Sequence, residues 1–396
     1  MKKIAIIGAG ASGLFCAIEC AKNSIAVDLY EQNIKPAKKI LVSGNGRCNI
    51  SNSSLSTTDF FSQNPDFVEY AIKNFGFTEF EKYVNSLGLL LNTLEDGRAY
   101  PLSNEAKSVA NTFIQTAQNL GVNIITENKI NSIIKLGKKY DAIVIATGSE
   151  AASHLGGCDD GYKFAQELGH NIITTYPSLV QLELNAPIVK KMQGAKVDGE
   201  VTLYINGVKE NTIAGDILFT NYGVSGFAVL DISQMASEAL RDYQAVDIGV
   251  NLLPNFPAQK LANHILKVAQ SNGTLTLFDI LLGLLPTKIV NGLLESFDLD
   301  PKTTQIDTKL SKKIANGIVN WKFEVSDTHG FRHAEVSGGG VDTTEIDPKT
   351  FTSKKNPKFY FIGEVLDVVG RRGGFNFAFA WSSAYFAAQN IIKNRL

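Results

Sequence analysis

Cysteine and histidine are both scarce in this chain of 396 residues, which contains four cysteines and five histidines. So few cysteines in a chain of this length exclude a disulfide framework and favour a reducing compartment, so a cytoplasmic location is predicted. Cys16 and Cys20 stand one helical turn apart and are predicted to be buried packing residues. No cysteine or histidine cluster has the spacing of metal ligands, so no metal site is predicted.

A strong charge imbalance and a long apolar run are also missing. The net charge is −1 and no long basic block is present, which argues against nucleic-acid binding and electrostatic membrane docking. No run of about 18 uninterrupted apolar residues predicts a transmembrane helix. Residues 1–3 and the apolar residues after them resemble a signal peptide, but a buried strand explains them better. The expected partner is a small-molecule substrate, with no nucleic acid and no membrane, and the oligomeric state stays open.

A glycine-rich turn follows the first predicted strand and is the most informative motif present. Residues 3–7 form an apolar, β-branched run typical of a buried strand, and Gly8, Gly10 and Gly13 follow it. The first glycine permits a tight turn, the second lets the backbone approach a pyrophosphate, and the third lets the next helix lie close to the sheet. The N-terminus of that helix directs N–H groups at the phosphates. The turn therefore predicts a dinucleotide site.

The residues after the glycines agree with this interpretation. A helical pattern over residues 14–22 leads to a second predicted strand, residues 26–30, which ends before Glu31. An acid about 20 residues beyond the glycines is the expected partner of a ribose hydroxyl. A glycine turn followed by an acid by chance is the alternative.

Two later strands also end in segments that suit a nucleotide cofactor. Residues 146–148 end a buried strand and are expected to pass the same cofactor at the carboxyl edge of a parallel sheet. After the strand at residues 359–362, Asp367 is a candidate partner of a ribityl hydroxyl, and residues 373–376 start the last helix, whose positive end suits the electron-rich side of a flavin. The combination favours FAD over NAD as the tightly bound cofactor, with an ordinary strand–loop–helix connection as the alternative.

A loop over residues 38–50 is the second informative motif. Gly44 and Gly46 among small polar residues are typical of a nest of N–H groups for phosphate oxygens, and Arg47 offers a charge-assisted bidentate contact. A plain surface loop is the alternative. The candidate cofactor-binding residues of all these segments are Gly8, Ala9, Gly10, Ala11, Ser12, Gly13, Glu31, Gln32, Lys39, Ser43, Gly44, Gly46, Arg47, Cys48, Asn49, Ala146, Thr147, Gly148, Gly363, Glu364, Asp367, Gly374, Phe375 and Asn376.

Residues 38–52 resemble the KKxLxSGxGRCNxTN signature of the BaiN/YhiN-like family of FAD-dependent oxidoreductases, which includes aminoacetone oxidase-like flavoproteins and bile-acid reductases. The resemblance implies an α/β fold: a Rossmann-type FAD-binding domain of the two-dinucleotide-binding type with an inserted β-rich domain and a small helical domain. Other segments that carry the resemblance are 96–103, 215–220, 223–226, 338–341 and 363–367. The expected boundaries are 1–180 and 335–396 for the FAD-binding domain, 181–257 and 318–334 for the β-rich insert, and 258–317 for the helical domain.

The chain departs from the pattern of the family in two places. Asn221 stands where the family pattern FTHxGxSGPA has histidine, and Phe227 stands where it has proline. If that histidine shapes substrate chemistry in the relatives, their substrates do not transfer to this chain. Features of glutathione-reductase-like flavoproteins are also missing. Cys48 has no nearby cysteine partner, which argues against a dithiol relay, and no second GxGxxG follows a strand. A nicotinamide, NADH or NADPH, is therefore expected to bind transiently or not at all.

Flavin chemistry requires a positioned substrate and, for its proton, an acid or base residue. Residues 329–333 precede a glycine run at 338–340 and are expected near the flavin face, where the insert rejoins the FAD-binding domain. Histidines on a plain surface are the alternative, and no catalytic residue is assigned. The candidates are Tyr100, Tyr222, His329, Arg332 and His333.

These features predict an FAD-dependent oxidoreductase that transfers hydride between a small organic substrate and flavin N5. Whether it is an oxidase, such as an aminoacetone-type amine oxidase, or a reductase fed by a loosely bound donor stays open. A flavin-binding regulatory or scaffold protein without turnover is the alternative from another class. A nucleic-acid-modifying flavoprotein is a third option, which the lack of a basic patch disfavours.

Overall fold

The computed structural model describes residues 3–394, and the chain divides into two compact units. The first unit combines Met1–Tyr176 with Glu335–Leu396, and the second unit is Pro177–Ala334. The chain therefore leaves the first unit once and returns to it. The finer division into three domains, with a separate helical domain over residues 258–317, stays a prediction.

Short strands and helices alternate from residue 3 to the end of the first passage through the first unit. The strands are β1 (Lys3–Ile7), β2 (Ala26–Tyr30), β3 (Ser51–Asn52), β4 (Phe60–Phe61), β5 (Leu91–Thr93), β6 (Arg98–Pro101), β7 (Asn123–Ile125), β8 (Ala142–Ile145) and β9 (Ile172–Ser178). The helices are α1 (Ala11–Lys22), α2 (Lys38–Val42), α3 (Glu69–Asn74), α4 (Phe77–Ser86), α5 (Ala106–Asn119), α6 (Ile133–Gly137) and α7 (Asp160–Glu167).

The second unit contains longer antiparallel strands and a group of helices. The strands are β10 (Leu182–Leu184), β11 (Lys196–Ile205), β12 (Val208–Phe219), β13 (Gly223–Ser225), β14 (Val246–Asn251) and β15 (Trp321–Thr328). The helices are α8 (Phe227–Arg241), α9 (Ala258–Ser271), α10 (Leu277–Leu282), α11 (Thr287–Ser296) and α12 (Thr308–Val319). After the chain returns to the first unit, it forms β16 (Val336–Val341), β17 (Phe359–Phe361), β18 (Val369–Gly370) and α13 (Phe375–Lys393).

A parallel sheet with the order β17-β8-β1-β2-β7 organises the first unit. Ile7 pairs with Tyr30 on one side and Ile145 on the other, and Phe361 also pairs with Ile145, so these strands end at one level. The residues that follow parallel strands share the carboxyl edge of the sheet. The fold therefore gathers the glycine turn, Glu31 and the segments after β8 and β17 at one edge, and the predicted α/β Rossmann-type class is confirmed.

The last helix, α13, is anchored in the core of the first unit by aromatic stacking. The ring of Trp381 stacks on Phe80, Phe113 and Phe377, with centroid distances of 5.3, 5.2 and 5.6 Å. Its indole N–H donates to the carbonyl oxygen of Ile50 at 2.8 Å. Rings in such contact are worth about 0.5–1.5 kcal/mol each beyond their burial. The N-terminus of α13 is thereby held beside β3 and the loop that precedes it.

A closed barrel with the order β10-β13-β12-β11-β14-β15 forms the second unit, and the helices share its hydrophobic core. β11 and β12 form a hairpin whose turn residues, Asn206 and Gly207, both have positive φ, at 51° and 80°. This conformation fits a two-residue hairpin turn and explains the Asn-Gly pair.

No helix among residues 3–394 has the length and apolarity needed to cross a membrane. Within the same described range, no three histidine, cysteine or acidic side chains cluster as metal ligands would.

Candidate functional site

The glycine fingerprint forms the turn between β1 and α1. Gly8 has a φ of +103°, and a Cβ there would lie 2.3 Å from the carbonyl oxygen of Ala146. A Cβ at Gly13 would lie 1.9 Å from the carbonyl oxygen of Gly8, so only glycine lets α1 lie this close to the turn. Gly10 differs, because beyond its chain neighbours no described atom comes within 4 Å of its Cβ position. The space beside Gly10, at the N-terminus of α1, is therefore open, as an approaching pyrophosphate requires.

Three segments that are distant in sequence meet at this turn. Ala146, at the end of β8, touches Gly8, and a Cβ at Gly363, after β17, would lie 2.7 Å from Oγ of Ser12. Gly148 has a φ of +72° and, like Gly10, has open space at its Cβ position. The glycine turn and the ends of β8 and β17 thus form one site, with room for a ligand beside two of its glycines.

Glu31 is buried, and backbone N–H groups fix its carboxylate. The N–H of Ala9 donates to Oε2 at 3.1 Å, while the backbone and side-chain nitrogens of Asn33 donate to Oε1 at 2.8 and 2.6 Å. Oε2 retains lone-pair capacity for a further donor such as a ribose hydroxyl. Gln32 points elsewhere, because its side-chain nitrogen donates to the carbonyl oxygen of Gly156 at 2.9 Å.

Lys39 and Glu364, which are far apart in sequence, form an ion pair with 2.9 Å between Nζ and Oε2. The hydroxyl of Ser149 donates to Oε1 of Glu364 at 2.6 Å, and the backbone N–H of Ser337 donates to the same oxygen at 3.1 Å. Ser149 and Ser337 were not among the sequence candidates. The sequence could have indicated Ser149, because it directly follows the candidate Gly148. It could not have indicated Ser337, which contributes its backbone N–H rather than its side chain.

The loop after α2 contains several residues in the left-handed region: Gly44, Asn45, Gly46 and Cys48 have φ values of 56°, 55°, 80° and 60°. Burial raises the pKa of the Cys48 thiol to about 12, so the thiol stays protonated at neutral pH. A protonated, buried thiol is a poor nucleophile, which fits a packing role in this loop.

Arg47 and Tyr100, a cofactor candidate and a catalytic candidate, come together next to this loop. The guanidinium of Arg47 is exposed and lies 5.0 Å from the ring centroid of Tyr100. Oδ1 of Asn49 is buried and has no hydrogen-bond partner among residues 3–394. A Cβ at Gly374 would lie 2.9 Å from that oxygen and 2.3 Å from the carbonyl oxygen of Ser51, so the loop meets the start of α13. Asn49 is thus an unused polar group beside the candidate cofactor segments.

Asp367 is buried and is held by two residues that the sequence did not single out. Its Oδ2 accepts from the backbone N–H of Gln63 at 2.9 Å and from the hydroxyl of Ser62 at 3.3 Å. Asn376 braces the preceding loop, since its side chain bonds both the N–H and the carbonyl oxygen of Gly370 at 2.8 Å. Phe375 packs edge-on against Phe60, at 6.2 Å between centroids.

The remaining catalytic candidates lie in the second unit, and three of them stack. The rings of Tyr222 and His329 are parallel, with 3.8 Å between centroids, and the ring of His333 lies 4.2 Å from that of His329 at a tilt of 35°. Nδ1 of His329 lies 2.8 Å from Oε1 of Glu183. Burial raises the pKa of Tyr222, so its phenol stays neutral at neutral pH. Arg332 is exposed on the same segment.

The two positions that depart from the family pattern are both exposed in this unit. Asn221 lies in the turn that ends at Gly223, directly before Tyr222. Phe227 begins α8, and its N–H donates to Oδ1 of Asp216 at 3.0 Å. Asn221 therefore lies next to the stacked rings along the chain, whereas Phe227 is the first residue of a helix whose N-cap is Gly226.

Comparison with known proteins matches nearly the whole chain to one family model, described as the HI0933-like protein Rossmann domain, over residues 2–390. The chain is 32% identical over 404 residues to the ribosomal RNA dihydrouridine synthase of Escherichia coli (strain K12), covering 98% of this chain and 97% of the relative. It is 29% identical over 404 residues to the 3-dehydro-bile acid delta(4,6)-reductase of Clostridium scindens, covering 98% of both.

Among solved structures, the 3-ketosteroid delta1-dehydrogenase of Sterolibacterium denitrificans matches with a TM-score of 0.48 and 10% identity, covering 100% of each chain. The open conformation of a flavocytochrome c3 fumarate reductase matches with a TM-score of 0.46 and 14% identity, covering 100% of this chain and 78% of that one. These structural similarities are too low to say anything about activity.

Proposed function

The chain belongs to the HI0933-like protein family and is an FAD-dependent oxidoreductase, and we propose that it reduces a carbon–carbon double bond conjugated with a carbonyl group. The relatives named above support this chemistry. A dihydrouridine is a uridine whose ring double bond, conjugated with a carbonyl, has gained two hydrogens, and a delta(4,6)-reductase acts on double bonds conjugated with the 3-oxo group. Although their substrates differ greatly in size, the reacting bond is of one kind.

The assignment of the cofactor rests on one observation. Three glycine-containing segments, which are distant in sequence, meet at one edge of the parallel sheet. Open space beside Gly10 and Gly148 leaves room for the cofactor, and the buried, unpartnered oxygen of Asn49 offers it a polar contact. In this assignment Glu31 binds the ribose of the ADP half and the N-terminus of α1 binds the pyrophosphate. The segments at Asp367 and at the start of α13 bind the flavin half. When bound, FAD supplies the hydride that the reduction requires.

We propose that the electron donor is a nicotinamide, NADH or NADPH, which binds only transiently. The sequence has no second GxGxxG after a strand, so a tightly held nicotinamide is not expected. A reductase must nevertheless be refilled with electrons, and a transient hydride donor meets that need without a dedicated domain. The small number of cysteines in the chain favours a location in the reducing cytoplasm.

A small conjugated carbonyl compound is the first candidate substrate, because the net charge of −1 offers no general attraction for a polyanion. Uridine in ribosomal RNA is the second candidate. It is favoured by the 32% and 31% identities to the dihydrouridine synthases of Escherichia coli and Haemophilus influenzae.

An anaerobic flavin assay tests the proposal. The purified protein with FAD is titrated with NADPH and NADH while the visible flavin band is followed, and a conjugated 3-oxosteroid or protein-free ribosomal RNA is then added. We expect a nicotinamide to bleach the band and one substrate to restore it, with a product that has gained two hydrogens. Bleaching by an amine with no response to either conjugated substrate would instead make it an amine oxidase. A flavin inert to every compound would support a regulatory or scaffold role.

A further inference from the structure

Glu364 gathers donors from three other segments of the first unit, and the four residues are called the Glu364 cluster below. Its Oε2 pairs with Nζ of Lys39 at 2.9 Å, and its Oε1 accepts from the hydroxyl of Ser149 at 2.6 Å and from the backbone N–H of Ser337 at 3.1 Å. Lys39 lies on α2, Ser149 follows β8, Ser337 lies on β16, and Glu364 follows β17. An ionised carboxylate has about four acceptor positions, so three of them are already used. Glu364 therefore joins four segments of the chain.

The Glu364 cluster borders the glycine turn on two sides. Gly363 lies so close to the first turn of α1 that a Cβ there would be 2.7 Å from Oγ of Ser12. On the other side, the N–H of Ala37, at the start of α2, donates to the carbonyl oxygen of Ala9 at 2.9 Å. The proposed function places the diphosphate of FAD at this turn. The cluster thus brings a carboxylate next to the site of an anionic group.

Glu31, the other carboxylate at this turn, has no cation beside it. Its oxygens accept from N–H groups of Ala9 and Asn33, and no lysine or arginine among residues 3–394 has a nitrogen within 4.0 Å of them. A ribose hydroxyl is neutral, so its acceptor needs no counterion. A carboxylate close to a diphosphate would repel it, because like charges brought together are destabilising. The one carboxylate paired with lysine is therefore the one that borders the proposed diphosphate site.

We infer that Lys39 is the counterion that makes Glu364 compatible with a bound diphosphate. The inference rests on the placement of FAD in the proposed function. The carboxylate holds donors from three segments in position, and the ammonium group cancels the charge that this carboxylate brings to the site. Lys39 is thus a positioning residue for the cofactor, and it acts through Glu364.

The test measures the affinity of the apoprotein for FAD through the quenching of flavin fluorescence. Lys39→Met should raise the FAD dissociation constant about 10- to 100-fold, because an unpaired carboxylate then faces the diphosphate. Glu364→Gln should change the affinity less, since the amide that replaces the carboxylate carries no charge. The double variant should bind FAD more tightly than Lys39→Met, although it has lost one more native side chain. Such a rescue follows from charge compensation and not from a general loss of packing.

Lys22 provides a matched control in the same unit. Its Nζ lies 3.2 Å from Oε1 of Glu19, and its side chain is 33% exposed, compared with 32% for Lys39. Because Lys22 is the last residue of α1, it lies at the opposite end of that helix from the glycine turn. Lys22→Met should change the melting temperature of the apoprotein and leave its FAD affinity at the wild-type value. Lys39→Arg keeps a cation and should retain most of the affinity.

The dependence of FAD affinity on salt is a second readout, which a merely structural role of Lys39 would not affect. The Debye length falls from about 10 Å at 0.1 M ionic strength to about 3 Å at 1 M, so salt weakens repulsion between the unpaired carboxylate and the diphosphate. The difference in affinity between Lys39→Met and the wild type should therefore shrink at the higher ionic strength. The difference between Glu364→Gln and the wild type should change less. Circular dichroism and the melting temperature of each apoprotein show that it has folded.

A double variant that binds FAD no more tightly than Lys39→Met overturns the inference, as does wild-type affinity in a folded Lys39→Met variant. If Lys39→Met does not fold, the double variant decides, because it contains neither charge of the pair. An affinity close to that of Glu364→Gln then supports the inference, and an affinity about tenfold lower or more overturns it.

The assay contains no substrate, so its outcome is separate from that of the proposed reaction. Failure of the wild type with both conjugated substrates would overturn the proposed reduction and leave the role of Lys39 standing. A wild-type apoprotein that binds no FAD would overturn both.

Discussion

At the scale of single residues, the sequence predicts best where a role depends on chain spacing. Glu31 is a candidate ribose ligand because it follows β2; that role stays a prediction, while the structure places the side chain where the N–H of Ala9 in the glycine turn reaches it. Glu183 could not be identified in this way, because its partner His329 lies 146 positions further along the chain. Local spacing also cannot pair Asp367 with its partners Ser62 and Gln63, which lie about 300 positions earlier in the chain. Nothing local in the sequence marks such pairs.

Replacement of Glu31 by alanine should weaken FAD retention. The ribose contact to a charged, buried acceptor is worth about 1.5–3 kcal/mol, so the FAD dissociation constant should rise about 10- to 100-fold. The change also strips the N–H groups of Ala9 and Asn33 of their acceptor, so the apoprotein should melt at a lower temperature. Glu31→Gln keeps one acceptor oxygen, so its FAD affinity and its melting temperature should lie between those of the wild type and of Glu31→Ala. Unchanged flavin occupancy in Glu31→Ala after dilution and dialysis would refute the assignment.

At the scale of elements, the turn from β1 to α1 shows that neighbouring glycines serve different purposes. Gly13 is required by the fold, because its Cβ position overlaps the carbonyl oxygen of Gly8 at 1.9 Å. Gly10 has an ordinary φ of −82° and an open Cβ position, so nothing in the described protein requires it to be glycine. The sequence motif predicts both positions, but only the structure separates the glycine needed for packing from the glycine left for a ligand.

The pair Gly10→Ala and Gly13→Ala should therefore behave in opposite ways. Gly10→Ala should leave the unfolding free energy of the apoprotein within about 0.5 kcal/mol of the wild-type value. FAD should bind more weakly, because the new methyl group occupies the approach to the pyrophosphate. Gly13→Ala should destabilise the apoprotein itself, because the new methyl group would overlap the carbonyl oxygen of Gly8 and force the backbone of the turn to move. Thermal melts with and without added FAD measure both effects. A Gly10→Ala protein that binds FAD as tightly as the wild type would place the pyrophosphate elsewhere.

At the scale of the whole molecule, the sequence predicted the fold class because the first and last segments carry local strand–turn–helix signals. The parallel sheet and the terminal helix, Phe375–Lys393, follow from those signals. Closure of the barrel does not, since it depends on β10 pairing with β15 across more than 140 residues, a contact with no local signature. The number of domains within Pro177–Ala334 stays a prediction for the same reason: barrel and helices share one hydrophobic core, which composition alone does not reveal.

Each unit contains one of the two tryptophans, so the stability of the units can be followed separately. Trp381 lies in the core of the first unit and Trp321 in that of the second. This matters because unfolding of a chain with two units need not be two-state, and one global free energy would mix two transitions. In a Trp321→Phe background, the fluorescence of Trp381 reports on the first unit alone.

The first unit should lose stability as the pH falls below neutral, because of His170. Burial lowers the pKa of His170 below its ordinary value, and the attraction of Glu345 offsets this only in part. The unfolded chain therefore binds a proton more readily than the folded one, so unfolding becomes easier as pH falls below about 6.5 and the loss continues down through the lower pKa of the folded state.

Glu345 adds to the loss only at more acidic pH. Burial opposes its charge, but bonds from Lys355, Asn171 and His170 outweigh burial and hold its pKa below the usual value, so its stabilisation disappears below about pH 4. Urea unfolding followed by Trp381 between pH 7 and 5 should show a falling midpoint in the wild type and a flatter one in His170→Gln. His264→Asn should keep the wild-type slope, because that histidine lies on α9 of the second unit, whereas Trp381 reports on the first. An equal slope in His170→Gln and the wild type would mean that another group titrates in this range.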